Sequence, residues 1–159
     1  MMAPMASGTV LAAETPKTTT VKYTVTESYE WSVPTTITFT SDNTTITAGD
    51  DSGATQKVKV TKNVIAEGTK LRITAKGSGT DGAFTIVPTG KSHTLAYTIK
   101  VDNASEALAV GGTVLDVAAG TNTGSTNLTF TLTKDNVEQA GEYTGTVSYS
   151  AEVVAQSSN

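Results

Sequence analysis

The chain has 159 residues, 37% of them apolar and 16% charged, and its 11 Lys+Arg against 15 Asp+Glu give a formal charge of −4 at neutral pH. Affinity for a phosphate backbone needs clustered basic side chains, and with Arg72 as the only arginine the composition excludes a general nucleic-acid binder. No cysteine is present, which excludes disulfides, thiolate metal sites and cysteine nucleophiles, and His93, the only histidine, leaves no paired-imidazole metal site.

The first thirteen residues, MMAPMASGTVLAA, are small and apolar and end in Val-Leu-Ala-Ala before Glu14. They read as the remnant of a secretory signal peptide that lacks its basic leading region, so residues 1–17 are expected to be signal remnant and flexible segment, and residues 18–159 a single domain. Met1 to Pro16 are expected to lie outside that domain, and removal of Met1 to Glu14 to leave the thermal midpoint unchanged. No run approaches the roughly 18 uninterrupted apolar residues of a membrane span. The C-terminal AEVVAQSSN has neither an apolar tail nor a sorting motif. Export without cysteine fits a bacterium that does not staple its secreted domains with disulfides. Asn-x-Ser/Thr sequons at Asn43, Asn103 and Asn127 are expected by chance among 32 threonines.

Between Thr18 and Val33, the run TTTVKYTVTESYEWSV places Val21, Tyr23, Val25, Tyr29, Trp31 and Val33 on one parity and polar residues on the other. Strand side chains alternate faces, so the pattern predicts a long half-buried strand, with Glu27 marking a bulge or crossover. Pro34 breaks it, and Ile37 and Phe39 resume the alternation. Ser41 to Gln56 is a loop-rich connection around a short TTIT strand. KVKVTKNV turns Val58 and Val60 inward, Ala66 to Lys70 forms a turn, and LRITAK puts Leu71, Ile73 and Ala75 on one face. Gly77 to Gly82 then reads as the tip of a hairpin into AFTIV. His93, Leu95, Tyr97, Ile99 and Val101 share the buried parity of the next strand. ASEALAVGGTVLDVAAG is irregular, with a helical turn at Ala104 to Val110 cut short by Gly111 and Gly112. STNLTFTLT buries Leu128, Phe130 and Leu132, and the closing strand buries Tyr143, Val147, Tyr149, Ala151 and Val153.

Threonine and valine dominate, one parity per strand is apolar, and no βαβ alternation occurs. The expected fold is therefore all-β, a two-sheet antiparallel sandwich of eight or nine strands with no substantial helix. The segments SYEWSVPTTITFT, NVIAEGTKLRITA and AGEYTGTVSYSAEV carry a resemblance to small exported Ig-like β-sandwich proteins of Gram-positive bacteria, described as surface or adhesin-like. Ala-Gly-x-Tyr-x-Gly-x-Val is similar to the last strand of bacterial surface and pilin-like sandwiches. The resemblance spans most of Tyr23 to Val154 and implies the fold and export. The motif also has a physical reading: Gly141 permits a tight turn, the Tyr143 hydroxyl bonds a loop backbone, and Gly145 lets another backbone come close.

Candidate chemistry is sparse. His93 with Asp81 or Asp102 and a serine would make a triad, but no nucleophile turn accompanies them, and His93 reads as a partly exposed residue at a strand start. Glu27 with Glu30, and Glu138 with Glu142, are carboxylate pairs whose spacing does not fix a catalytic separation. Asp42, Asn43, Asp50 and Asp51 bracket a loop of hard oxygen ligands of the kind calcium takes, but the spacing matches no EF-hand and ordinary Asx turns are the favoured reading. Tyr23, Tyr29 and Trp31 share the core parity; a bulge at Glu27 would turn Tyr29 and Trp31 outward as a sugar-stacking platform. Lys22, Lys59 and Lys100 sit on polar parities, so no isopeptide crosslink is expected. No catalytic, cofactor or metal site is thereby assigned. The sequence points to a non-enzymatic, secreted or cell-surface structural or adhesive component that self-associates through edge strands, the segment Leu11 to Thr20 completing a neighbour's sheet. The alternative is a carbohydrate-binding module with exposed aromatic rings. A cell-surface protein or a glycan is the expected partner besides a second copy, with no nucleic acid and no membrane span.

Overall fold

Alternating valines and threonines form strands because β-branched side chains fit a pleated, half-buried surface. The computed structural model describes residues 14–134, 137 and 139–157. Its strands are β1 (Ser28–Ser32), β2 (Thr45–Ala48), β3 (Val58–Val64), β4 (Thr69–Gly77), β5 (Thr85–Pro88), β6 (Leu95–Val101), β7 (Gly112–Ala118), β8 (Gly124–Thr126), β9 (Leu128–Leu132), β10 (Tyr143–Thr144) and β11 (Val147–Ala155). The only helical element among the described residues is a 3-10 turn at Thr80–Gly82. The fold is all-β, and every pairing between these strands is antiparallel.

Three hydrogen-bonded sheets result, ordered β1-β3-β8, β10-β5-β6-β9-β2 and β11-β4-β7. Among the described residues, eleven strands in three sheets stand where eight or nine in two were expected, because two sequence runs each change partner midway. Residues 124–132 pair with β3 up to Thr126 and with β6 and β2 from Leu128. The C-terminal run pairs with β5 through β10, and after Gly145 and Thr146 it pairs with β4 through β11.

The core is sandwich-like. Leu71, Ile73 and Ala75 of β4 form one buried cluster with Tyr97 and Ile99 of β6 and Leu128 and Phe130 of β9, joined by Val58, Val60, Val114 and Val117. Each large apolar side chain removed from water contributes about 1.5–3 kcal/mol, which is why one parity of each strand is fixed inward. Asn63, the buried polar residue of the core, donates from Nδ2 to the carbonyls of Ala118 and Thr121, both at 3.0 Å, and so ties β3 to the end of β7.

Several expectations are corrected. The strand read from Thr18 starts at Ser28, and residues 14–27 have no strand partner among the described residues and are exposed throughout. Val21, Tyr23 and Val25 are therefore outside the core. The register shift lies between Glu30 and Trp31 rather than at Glu27, and the extra residue belongs to β3. Trp31 and Tyr29 keep a common face opposite the buried Val60 and Asn63: Trp31 is half-buried against the core, and Tyr29 lies exposed at its rim. Residues 77–84 do not form a hairpin tip, because β4 and β5 belong to different sheets and the chain arches from one layer to the other. Gly79 and Ala83 close this arch with a 3.0 Å backbone bond, and Gly77 passes so near the Ala83 carbonyl that a β-carbon there would collide with it. The irregular stretch after Gly111 holds β7, hidden by a second register shift opposite Ile73 and Thr74 that leaves Val114 and Val117 both buried three residues apart. No helical turn forms at Ala104 to Val110.

Candidate functional site, an apolar groove beside a free strand edge

β11 pairs with β4 along its whole length and with nothing on its other side among the described residues. Facing that free edge runs the segment from Pro34 to Ser41. It is fastened at one end by the Thr35 and Thr36 amides donating to Ala54 and at the other by reciprocal bonds between Thr40 and Asn43. Ile37 and Phe39 pack half-buried on the core, as their parity predicts. Between these anchors, however, Ile37, Thr38 and Phe39 make no backbone hydrogen bond with the described residues. The segment has strand spacing without a strand partner.

Between it and β11 lies a groove of about 960 Å³. Ile37 and Phe39 form one wall, Val147 and Tyr149 the other, and Tyr97 and Leu132 part of the floor. The rings of Phe39, Phe84 and Phe130 surround Tyr97 at centroid distances of 6.2, 5.8 and 6.3 Å, tilted arrangements that suit the aromatic quadrupoles. Burial pushes the Tyr97 phenol up to about 12. Burial also raises Tyr149, and the neighbouring Tyr97 adds to that shift. Both hydroxyls stay protonated at any physiological pH and can donate a hydrogen bond.

The motif near the C-terminus shapes the groove's rim. Gly141 sits at φ +150°, a conformation reserved for glycine, where the chain turns into β10. The Tyr143 hydroxyl donates to the Gln139 carbonyl at 2.7 Å, and Gly145 leaves no room for a β-carbon beside the Thr85 carbonyl. These contacts hold residues 139–147 across the end of the opening.

The side chains singled out from the sequence do not converge. His93 lies at the start of β6, its ring edge-on to Tyr143 at 6.3 Å, with Nε2 buried and lacking a hydrogen-bond partner among the described residues. Asp102 follows the far end of that strand, and Asp81 lies in the arch between β4 and β5. Glu27 accepts from the Ala66 amide at 3.1 Å, Glu30 is exposed, and Glu142 lines the groove, whereas Glu138 is outside the described residues. β2 separates Asp42 and Asn43 from Asp50 and Asp51. Asp50 accepts from the Thr55 hydroxyl, and Asp51 is held by Lys57 and Lys59 at 3.1 and 3.5 Å, which lowers its carboxyl below the ordinary carboxylate range. Among the described residues no three His, Asp or Glu side chains are placed to share a metal ion. Lys22 and Lys100 are exposed and Lys59 is half-buried toward Asp51.

Sequence reasoning missed the groove. The signal present was the pair of apolar-alternating segments on either side of Pro34, but alternation does not say which segments find a partner. No family model matches this chain, and no curated protein matches it.

Proposed function

We propose that this protein is a non-enzymatic, exported structural or adhesive component of a bacterial cell surface, an Ig-like sandwich that self-associates. The observation that carries the reading is the nine-residue β11 with one edge unpaired beside an open apolar groove. Soluble monomers ordinarily shorten, charge or cover such an edge, because unpaired N–H and C=O groups template association with another chain. The dispersal of His93, Asp81 and Asp102 supports a non-catalytic role, since general acid–base work needs these groups within hydrogen-bond reach. Size-exclusion chromatography with light scattering and negative-stain microscopy of the full chain test the reading. Assembly that grows with concentration is expected, and a strict monomer at every concentration would overturn it.

A carbohydrate-binding module is the second reading, favoured by one observation: the Tyr29 ring is exposed beside Trp31 on the same face of β1. Trp31 packs against the core, which leaves one ring rather than a platform. Tryptophan emission that shifts on titration with soluble glycans would support the module; a blue-shifted emission indifferent to them supports the structural role.

A further inference from the structure

We propose that residues 18–27 of one copy of this chain enter the groove of a second copy as a donated strand, between the free edge of β11 and the segment Thr35 to Thr40. The proposal rests on the self-associating reading and deepens it, naming the partner as a second copy and the contact as strand addition.

The donor is written in the sequence and idle in the structure. Val21, Tyr23 and Val25 alternate with Lys22, Thr24 and Thr26 as a half-buried strand requires, yet the segment has no strand partner among the described residues and its three apolar side chains are exposed. The acceptor has the complementary lack. Its two walls, β11 and Ile37 to Phe39, each present backbone groups without partners on the groove side, and its floor is aromatic and aliphatic. A strand laid between them gains hydrogen bonds on both flanks, while one parity of its side chains enters the apolar space. The lengths agree. Val21 to Val25 covers about 13 Å at roughly 3.3 Å per residue, the same span as Val147 to Ala151 on β11.

The placement of donor and acceptor favours a second copy over the chain's own tail. The donor segment is rooted at Glu27 and Ser28, where Glu27 accepts from Ala66 and Ser28 lies opposite Val64. That root adjoins the turn before Thr69, which pairs with Ala155 at the far end of β11, whereas the groove opens at the Val147 end, opposite Gly77. Along β11, Ala151 and Val147 lie about 13 and 26 Å from Ala155, four and eight steps at about 3.3 Å each, whereas Val25 and Val21 reach only about 7 and 20 Å from Glu27, so the chain's own tail falls two residues short of setting Val21 to Val25 along Val147 to Ala151. A contact joining one end of a molecule to the opposite end of the next is heterologous. Repeated, it gives an open linear assembly rather than a closed dimer.

Two full-chain proteins test this, the natural chain and a triple variant, V21D/Y23D/V25D. The variant alters only exposed residues, so its thermal midpoint as a monomer is expected to match that of the natural chain. Its onset of assembly is expected to move to more than about tenfold higher concentration, because three apolar side chains can no longer be buried. A fluorescein-labelled peptide of residues 16–27 is expected to bind the variant saturably at one per chain, and a peptide carrying the same three aspartates is not. Assembly of the variant at the natural concentration, with no peptide binding, would overturn strand donation while leaving self-association standing. A natural chain that stays monomeric with residues 18–27 protected from proteolysis would place the segment in its own groove and overturn the second-copy assignment. A natural chain that stays monomeric with those residues freely cleaved would overturn both readings.

Discussion

Two stretches of this chain carry nearly the same pattern and meet opposite fates. Val21, Tyr23 and Val25 alternate with polar residues, as do Leu95, Tyr97 and Ile99, each set centred on a tyrosine. The first set is 90, 89 and 59% exposed, the second 5, 6 and 0%. The second set has β5 on one side and β9 on the other; the first has neighbours on neither. Alternation therefore encodes the capacity to be a strand, and burial is decided by whether a partner edge is available. This chain holds both a strand pattern without a partner and an edge without a strand.

The largest effect expected from breaking the comparison is on stability. Ile99→Ala should cost about 2–5 kcal/mol in denaturant unfolding, because Ile99 is fully buried and its removal leaves a cavity. Val21→Ala should stay within about 0.5 kcal/mol in the monomer. Equal losses at the two sites would mean that the tail packs on its own domain.

The next effect is a pH dependence carried by the two tyrosines whose phenols burial raises, Tyr97 and Tyr149. Tyr97 binds its proton more tightly folded than unfolded, its pKa rising from 10.0 to about 12. The stability that this supplies is complete below pH 10 and is lost as pH rises from 10 through 12, a change of about 3 kcal/mol. Unfolding midpoints followed from pH 8 to 12 should fall over that window, and Tyr97→Phe should reduce the fall, with Tyr149 supplying the remainder. Tyr23 is not expected to contribute to it in the monomer.

Asn63→Ala should cost about 1–3 kcal/mol, since it leaves the carbonyls of Ala118 and Thr121 without their shared donor. The smallest effect belongs to the outer face of the β11-β4-β7 sheet. There Arg72 reaches Asp116 through Nε and an Nη atom, both at 3.0 Å, and Lys70 adds a contact at 2.8 Å. The Arg72 guanidinium holds the Asp116 carboxyl below its ordinary range, so whatever stability the contact adds is present above pH 3.8 and is lost as pH falls below it. A double-mutant cycle on Arg72 and Asp116 should return a coupling small beside the loss at Asn63→Ala, and it should shrink in high salt.

Most of the core was legible in the sequence because β4, β6, β9 and β11 each keep a single apolar parity, and their inward residues are those read from it; β3 does so only as far as Val60, beyond which its extra residue turns Asn63 inward. β7 was not legible, since the extra residue at Val114 breaks the alternation that announces a strand. The arch from β4 to β5 resembled a hairpin because glycine serves both; the choice depends on which sheet receives β5, a long-range property. The candidate site was the least legible part. Its walls are separated by more than a hundred residues, from Phe39 to Val147, and its defining property is hydrogen bonding that two strand-patterned segments do not make with each other. The rim was more legible, because Gly141 and Tyr143 act locally and the motif marks Gly145 as a point of close backbone approach.

Hydrogen–deuterium exchange of the full chain, compared between dilute monomer and concentrated assembly, tests strand donation most directly. The account predicts that the amides of Val21 to Val25 exchange freely in the monomer and become protected in the assembly, together with outward-facing amides of β11 and those of Ile37 to Phe39. Free exchange of Val21 to Val25 in the assembled state, with protection gained elsewhere, would contradict it.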